Sequence, residues 1–170
     1  MPFRRDLTSM LLLEQRRRRQ TALGIGVLIL AGIAGYLIVR KSLKEYSELQ
    51  RAKDRTKTGD DELGTVLKNE NPSFPVSQYD QWVSKMLTAS GGCGTDSEQI
   101  LAVFNKLRNN ADFLMLKSRF NIQTWDACNW AFDFGDNKGD MQTLLSKELT
   151  PAEISKVNSI LATKGIAYRV

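Results

Sequence analysis

The residues whose types could carry chemistry are few. Asp133, Asp136 and Asp140 sit close together with Gly135, Asn137 and Gly139 between them, and carboxylates so grouped could bind a divalent cation or act as an acid and base pair. A calcium loop of the EF-hand kind needs acidic positions at fixed odd offsets and a closing glutamate, and this stretch does not supply that register. A polar turn is the reading it supports. The chain contains no histidine, which removes the commonest general base and the commonest transition-metal ligand. Cys128 therefore has no histidine to activate it as a nucleophile. With Cys93 it could form one disulfide in an oxidising compartment, or each could simply pack. No catalytic constellation emerges, and a non-enzymatic protein is expected.

The elements around these residues divide the chain into two solvents. From Gln20 through Val39 there is no charged side chain, and the run from Ala22 to Val39 extends about 27 Å as a helix at ~1.5 Å per residue. That length matches a bilayer core. Arg16, Arg17, Arg18 and Arg19 bracket it on one side, with Arg40 and Lys41 on the other, as interfacial anchors do. A cleaved signal peptide fits less well, because the stretch is long and runs into Arg40, Lys41 and Ser42 without a small-residue cleavage site. The expectation is a single transmembrane helix at 22–39, in a bacterial inner membrane or a virion membrane. The arginine-dense flank puts the N-terminus inside.

The formal net charge of +5 alone does not name a partner. Residues 1–21 form a basic arm in which Met10 to Leu13 and the four arginines suit acyl chains and lipid phosphates, making the bilayer the default partner. The same arginines could neutralise nucleic-acid phosphates, but no aromatic residues interleave with them, so nucleic acid is not favoured. Within the span, Ala31 and Gly35 form a small-xxx-small pair that could admit a second helix and hence a homo-oligomer. After it, residues 40–57 read as a helical stalk with Leu43, Tyr46 and Leu49 at three-residue spacing. Residues 58–76 read as a linker, on the strength of Thr58-Gly59-Asp60-Asp61 and Asn71-Pro72.

Residues 77–170 read as a small all-α domain in which strands find little support. Ser77 with Asp80 starts a helix whose apolar face carries Tyr79, Trp82, Val83, Met86 and Leu87. Thr95 with Glu98 makes a capping box for a second, and Asn109 or Asn110 opens a third. A short helix is expected between Thr124 and Phe134, and Asp140 opens another. Thr150-Pro151 with Glu153 starts the last helix, which Gly165 ends in a left-handed cap.

The stretch Gly92-Cys93-Gly94-Thr95-Asp96-Ser97-Glu98-Gln99-Ile100-Leu101 resembles the Gly-x-Gly-Thr-Asp opening of an annexin repeat. Asn110 to Phe120 resembles the second helix of such a repeat, and Ser146-Lys147-Glu148-Leu149 the end of its third. The resemblance spans residues 86 to about 161 and is to single-copy, annexin-like domains of bacterial and phage proteins. It implies a calcium site built from Gly92 and Gly94 carbonyls with the Glu148 carboxylate. Read from residue types alone, Gly92 and Gly94 make a tight turn between two helices, and Thr95 and Asp96 cap the second. The function expected is that of a structural or interaction protein tethering a larger assembly to a bilayer, in a membrane-containing virion or a bacterial envelope complex. A calcium-responsive lipid-binding module and an envelope enzyme are the alternatives, the enzyme the weaker.

Overall fold

The computed structural model of the chain describes Tyr36, residues 39–126 and residues 136–170. The chain divides into two units, Met1–Tyr46 and Ser47–Val170. In the first, Tyr36 and residues 39–46 are helical and exposed. No helix of the described residues is long and apolar enough to cross a membrane. Of the expected span at 22–39, only Tyr36 and Val39 are among those residues, and Arg16 to Arg19, Ala31 and Gly35 lie outside them.

The second unit is mostly helical, as expected, with one small antiparallel ribbon that the sequence did not announce. It opens with α1, residues 47–66, and continues with α2 Val76–Ala89, α3 Ser97–Phe104 and α4 Asn110–Phe120. After these come β1 Gln123–Trp125, β2 Asn137–Gly139, α5 Met141–Glu148 and α6 Pro151–Thr163. The two strands pair in the register Gln123↔Gly139, Thr124↔Lys138, Trp125↔Asn137. The short helix expected over 124–134 is corrected at its start, where Thr124 and Trp125 are strand; residues 127–135 lie outside the described residues.

The expected linker is the largest correction. Residues 58–66 are helical, so the stalk does not stop at residue 57, and the folded unit begins at Ser47 instead of 77. Gly59 costs a helix interior about 1 kcal/mol relative to alanine. Burial of a helix face offsets it: Ala52, Gly59 and Leu63 are buried at helical spacing, and Leu63 joins the core. Thr56, Thr58 and Thr65 donate their hydroxyls to the carbonyls of Ala52, Asp54 and Asp61, four residues back, so these polar groups do not break the helix.

The core is filled by Tyr79 and Met86 of α2, Ile100 and Phe104 of α3, Leu114, Leu116 and Phe120 of α4, Leu144 and Leu145 of α5 and Leu161 of α6, each at 0 or 1 % exposure. A side chain of this size contributes about 1.5–3 kcal/mol on burial. Phe74 and Tyr79 each meet Trp82 edge to face, with centroids 5.0 and 5.2 Å away. The C-terminal residues are held as well: Asn158 exchanges two hydrogen bonds with Val170, and the Ala167 N–H donates to Asn110.

Helix ends follow the expected chemistry at four places and depart from it at two. Asn109 caps α4, Asp140 caps α5, and Thr150 with Glu153 forms the capping box of α6. Hydrogen bonds from Ser97 and from the Thr150 N–H and hydroxyl push the Glu153 carboxyl down to about 2. Gly165, at φ +70°, closes α6, its N–H donating to Ala162 O and that of Ile166 to Leu161 O. Helix α2, however, starts after Pro75 with no side-chain cap, and Asp80 receives Arg119 at 2.7 Å instead of pairing with Ser77. The cap of α3 is Asp96, which accepts from the Gln99 N–H, so the expected box of Thr95 with Glu98 does not form.

Candidate functional site

The Thr95 hydroxyl, released from capping, turns toward α5 and donates to Glu148 Oε2 at 2.7 Å. Glu148 Oε1 accepts from Trp125 Nε1 at 2.8 Å and from Asn137 Nδ2 at 3.4 Å. One half-buried carboxylate at the end of α5 thus joins the turn between α2 and α3 to both strands of the ribbon. Lys147 Nζ adds a hydrogen bond to Asn137 Oδ1 at 3.0 Å.

The turn itself needs its glycines. Gly92 and Gly94 have φ of +82° and +118°, conformations that side-chain-bearing residues rarely adopt. They let the chain reverse so that the Asp96 N–H reaches the Ala89 carbonyl at 2.9 Å. Between them Cys93 is disulfide-bonded. Cys128, the only other cysteine of the chain, lies outside the described residues.

The three residues to which the annexin resemblance gives a calcium role fall into one neighbourhood, since Thr95 ties the Gly92 to Gly94 turn to Glu148. Their present chemistry is that of a hydrogen-bonded brace. Calcium wants six to eight oxygen ligands, and an ion there would have to displace the Thr95 and Trp125 donors from the carboxylate. No group of three or more His, Cys, Asp or Glu that could hold a metal gathers among the described residues. Asp136 precedes β2, Asp140 is engaged as a cap, and Asp133 lies outside the described residues.

Two further charged centres went unread in the sequence. Asp140 receives Arg55 Nε and Nη2 at 2.8 and 2.7 Å, and Arg55 Nη2 also reaches the Thr143 hydroxyl at 2.9 Å. Burial pushes the Asp140 carboxyl upward, but donors from Arg55 and Thr143 outweigh it and hold the group below its ordinary value. Asp112 is fully buried and accepts from Tyr79 Oη at 2.6 Å, the Ser73 N–H at 2.6 Å and the Arg108 N–H at 2.8 Å. Burial first, and then the bond to Asp112, raise the Tyr79 phenol well above the usual tyrosine range. Both carboxylates have partners 33 to 85 residues away, a separation that local pattern does not encode.

On the surface, Arg40 and Lys41 are exposed on the helix of the first unit, Lys41 lying 3.9 Å from Glu45. A groove of about 390 Å³ runs between α3 and α6, lined by Leu101 and Ile160 with Lys156 and Lys164 among its polar residues. Comparison with protein-family models, with curated proteins and with solved structures finds no match to this chain. The annexin resemblance accordingly rests on the residues quoted for it.

Proposed function

We propose that the chain is a non-enzymatic, single-pass membrane protein whose C-terminal helical unit docks on other proteins of a larger assembly. In this reading it ties a membrane-containing virion or a bacterial envelope complex to its bilayer. The observation that carries the reading is the uncharged stretch from Gln20 to Val39, long enough for the hydrocarbon core and followed at once by charged helix. Nine basic and three acidic residues fall in the first 46, so the basic excess of the chain is concentrated around that stretch, where headgroups and topology use it.

What is known of the second unit supports a docking role. Its buried and half-buried carboxylates Asp112, Asp140 and Glu148 are each engaged in bonds between elements, as structural braces are. The bonded state of Cys93 supports an oxidising environment for this unit, in keeping with an N-terminus on the inner side. Because the folded unit begins at Ser47, the sequence between span and unit shortens to residues 40–46.

Protease treatment of sealed membranes carrying the full chain tests the arrangement. The C-terminal unit is expected to be digested from outside while an epitope on the basic arm survives until detergent is added. Equal loss of both without detergent would refute the topology.

A further inference from the structure

Helices α3 and α6 lie start to start and end to end. Ser97 bonds the Glu153 carboxylate at one end, and Lys164 Nζ donates to the Asn105 carbonyl at 3.0 Å at the other. The groove of about 390 Å³ between them opens over their C-terminal halves. Leu101 and Ile160, both half-buried, form its apolar surface. Lys156 and Lys164 stand four residues before and four after Ile160, about 6 Å to each side along the helix axis and on the same face.

The lining of this groove contains no carboxylate. Glu153 lies one turn from Lys156 and feels its charge, but its oxygens are held by Ser97 and Thr150. Among the described residues neither Lys156 nor Lys164 makes an ion pair. The groove is thus an apolar seat between two positive charges. Those charges are about 12 Å apart, too far to converge on one phosphate or one carboxylate. The groove also offers no aromatic ring on which a nucleic-acid base would stack. What complements it is a chain segment with an apolar side chain in the middle and a carboxylate one turn to each side.

We propose that the groove seats an acidic amphipathic helix of a partner protein, its apolar side chain resting on Leu101 and Ile160 and its carboxylates pairing with Lys156 and Lys164. This gives the docking role proposed above its surface, and it rests on that role. The apolar anchor supplies most of the affinity, and the two charge pairs fix where along α6 the partner sits.

Fluorescence anisotropy of labelled peptides against the full-length chain in phosphatidylcholine nanodiscs, with empty nanodiscs as the blank, tests the seat. The probe is an alanine-rich helix of about 15 residues with glutamate, leucine and glutamate at positions i, i+4 and i+8. It is expected to bind at least about tenfold more tightly than the same peptide with lysines for the glutamates or alanine for the leucine. Lys156→Glu, at an exposed position, should keep the parent Tm and weaken the acidic peptide about fivefold. A peptide with lysine in place of the glutamate that faces residue 156 should regain that loss on the variant. No binding of the acidic peptide up to about 1 mM, or binding that Lys156→Glu leaves unchanged, overturns the proposal. Self-association of the parent chain that Lys156→Glu abolishes would put a second copy in the groove and overturn it as well. Peptide binding requires no membrane insertion, so failure here with the protease-protected topology intact ends the groove assignment alone. If the topology fails instead, the same titration in buffer still upholds or ends the seat.

Discussion

Arg55 of α1 grips Asp140, the N-cap of α5, through two parallel hydrogen bonds of 2.7 and 2.8 Å. With Leu63 in the core, this contact joins α1 to the rest of the folded unit. Because the Arg55 side chain keeps 35 % of its surface in water while that of Asp140 keeps 5 %, the pair lies between an exposed and a buried ion pair. Arg55→Met is expected to cost about 1–3 kcal/mol in chemical denaturation, and Asp140→Ala more, since it also removes the cap. Asp140→Asn, which keeps a cap acceptor, should fall between. The Asp140 carboxyl is held below 3.8, so its contribution is present above that value and is lost as pH falls through the folded-state pKa. Stability of Arg55→Met should therefore depend less steeply on acid than that of the parent chain.

Tyr79 and Asp112 give the opposite sign. The Tyr79 phenol is raised above 10.0 by burial and by Asp112, so its contribution is complete below pH 10 and is lost only as pH rises through the raised value. Absorbance titration should show the Tyr79 phenolate appearing with alkaline unfolding and missing from Tyr79→Phe. That variant should lose about 1 kcal/mol, while Asp112→Ala, which strands three donors, should lose about 3–5 kcal/mol.

Glu148 separates the brace from an ion site. Glu148→Gln is expected to cost about 1–2 kcal/mol and to shift tryptophan emission, because buried Trp125 loses its charged acceptor. Millimolar calcium should leave the Tm of the parent chain unchanged within about 1 °C. A rise of several degrees that Glu148→Gln abolishes would favour the ion instead.

The extent to which these features were legible in the sequence follows from how local their causes are. Thr150, Pro151, Glu153 and Gly165 announce both ends of α6 because a cap is decided within four residues. Gly59 misled for the same reason: local chemistry reads Thr58-Gly59-Asp60-Asp61 as a break, while packing of Ala52 and Leu63 keeps the helix intact. Thr95 was read as a cap from its position ahead of Glu98, but Asp96 took that role and Thr95 was left for Glu148, 53 residues on. Strands of three residues carry too little alternation to be seen. The neighbourhood of Gly92, Gly94 and Glu148 was reachable only through a family resemblance, and Arg55 with Asp140 not at all.

The bonded state of Cys93 is open to a direct count. Denatured, unreduced protein should show no reactive thiol, and two should appear on reduction. Two thiols before reduction would remove the support for an oxidising compartment.

The central claim is that the stretch from Gln20 to Val39 resides among acyl chains. Flotation of the full chain with phosphatidylcholine vesicles after alkaline carbonate extraction tests it most directly. The account predicts that the protein rises with the lipid and that Leu28→Arg combined with Ile33→Arg leaves it at the bottom of the gradient. Parent chain that stays in the dense, lipid-free fractions would contradict it.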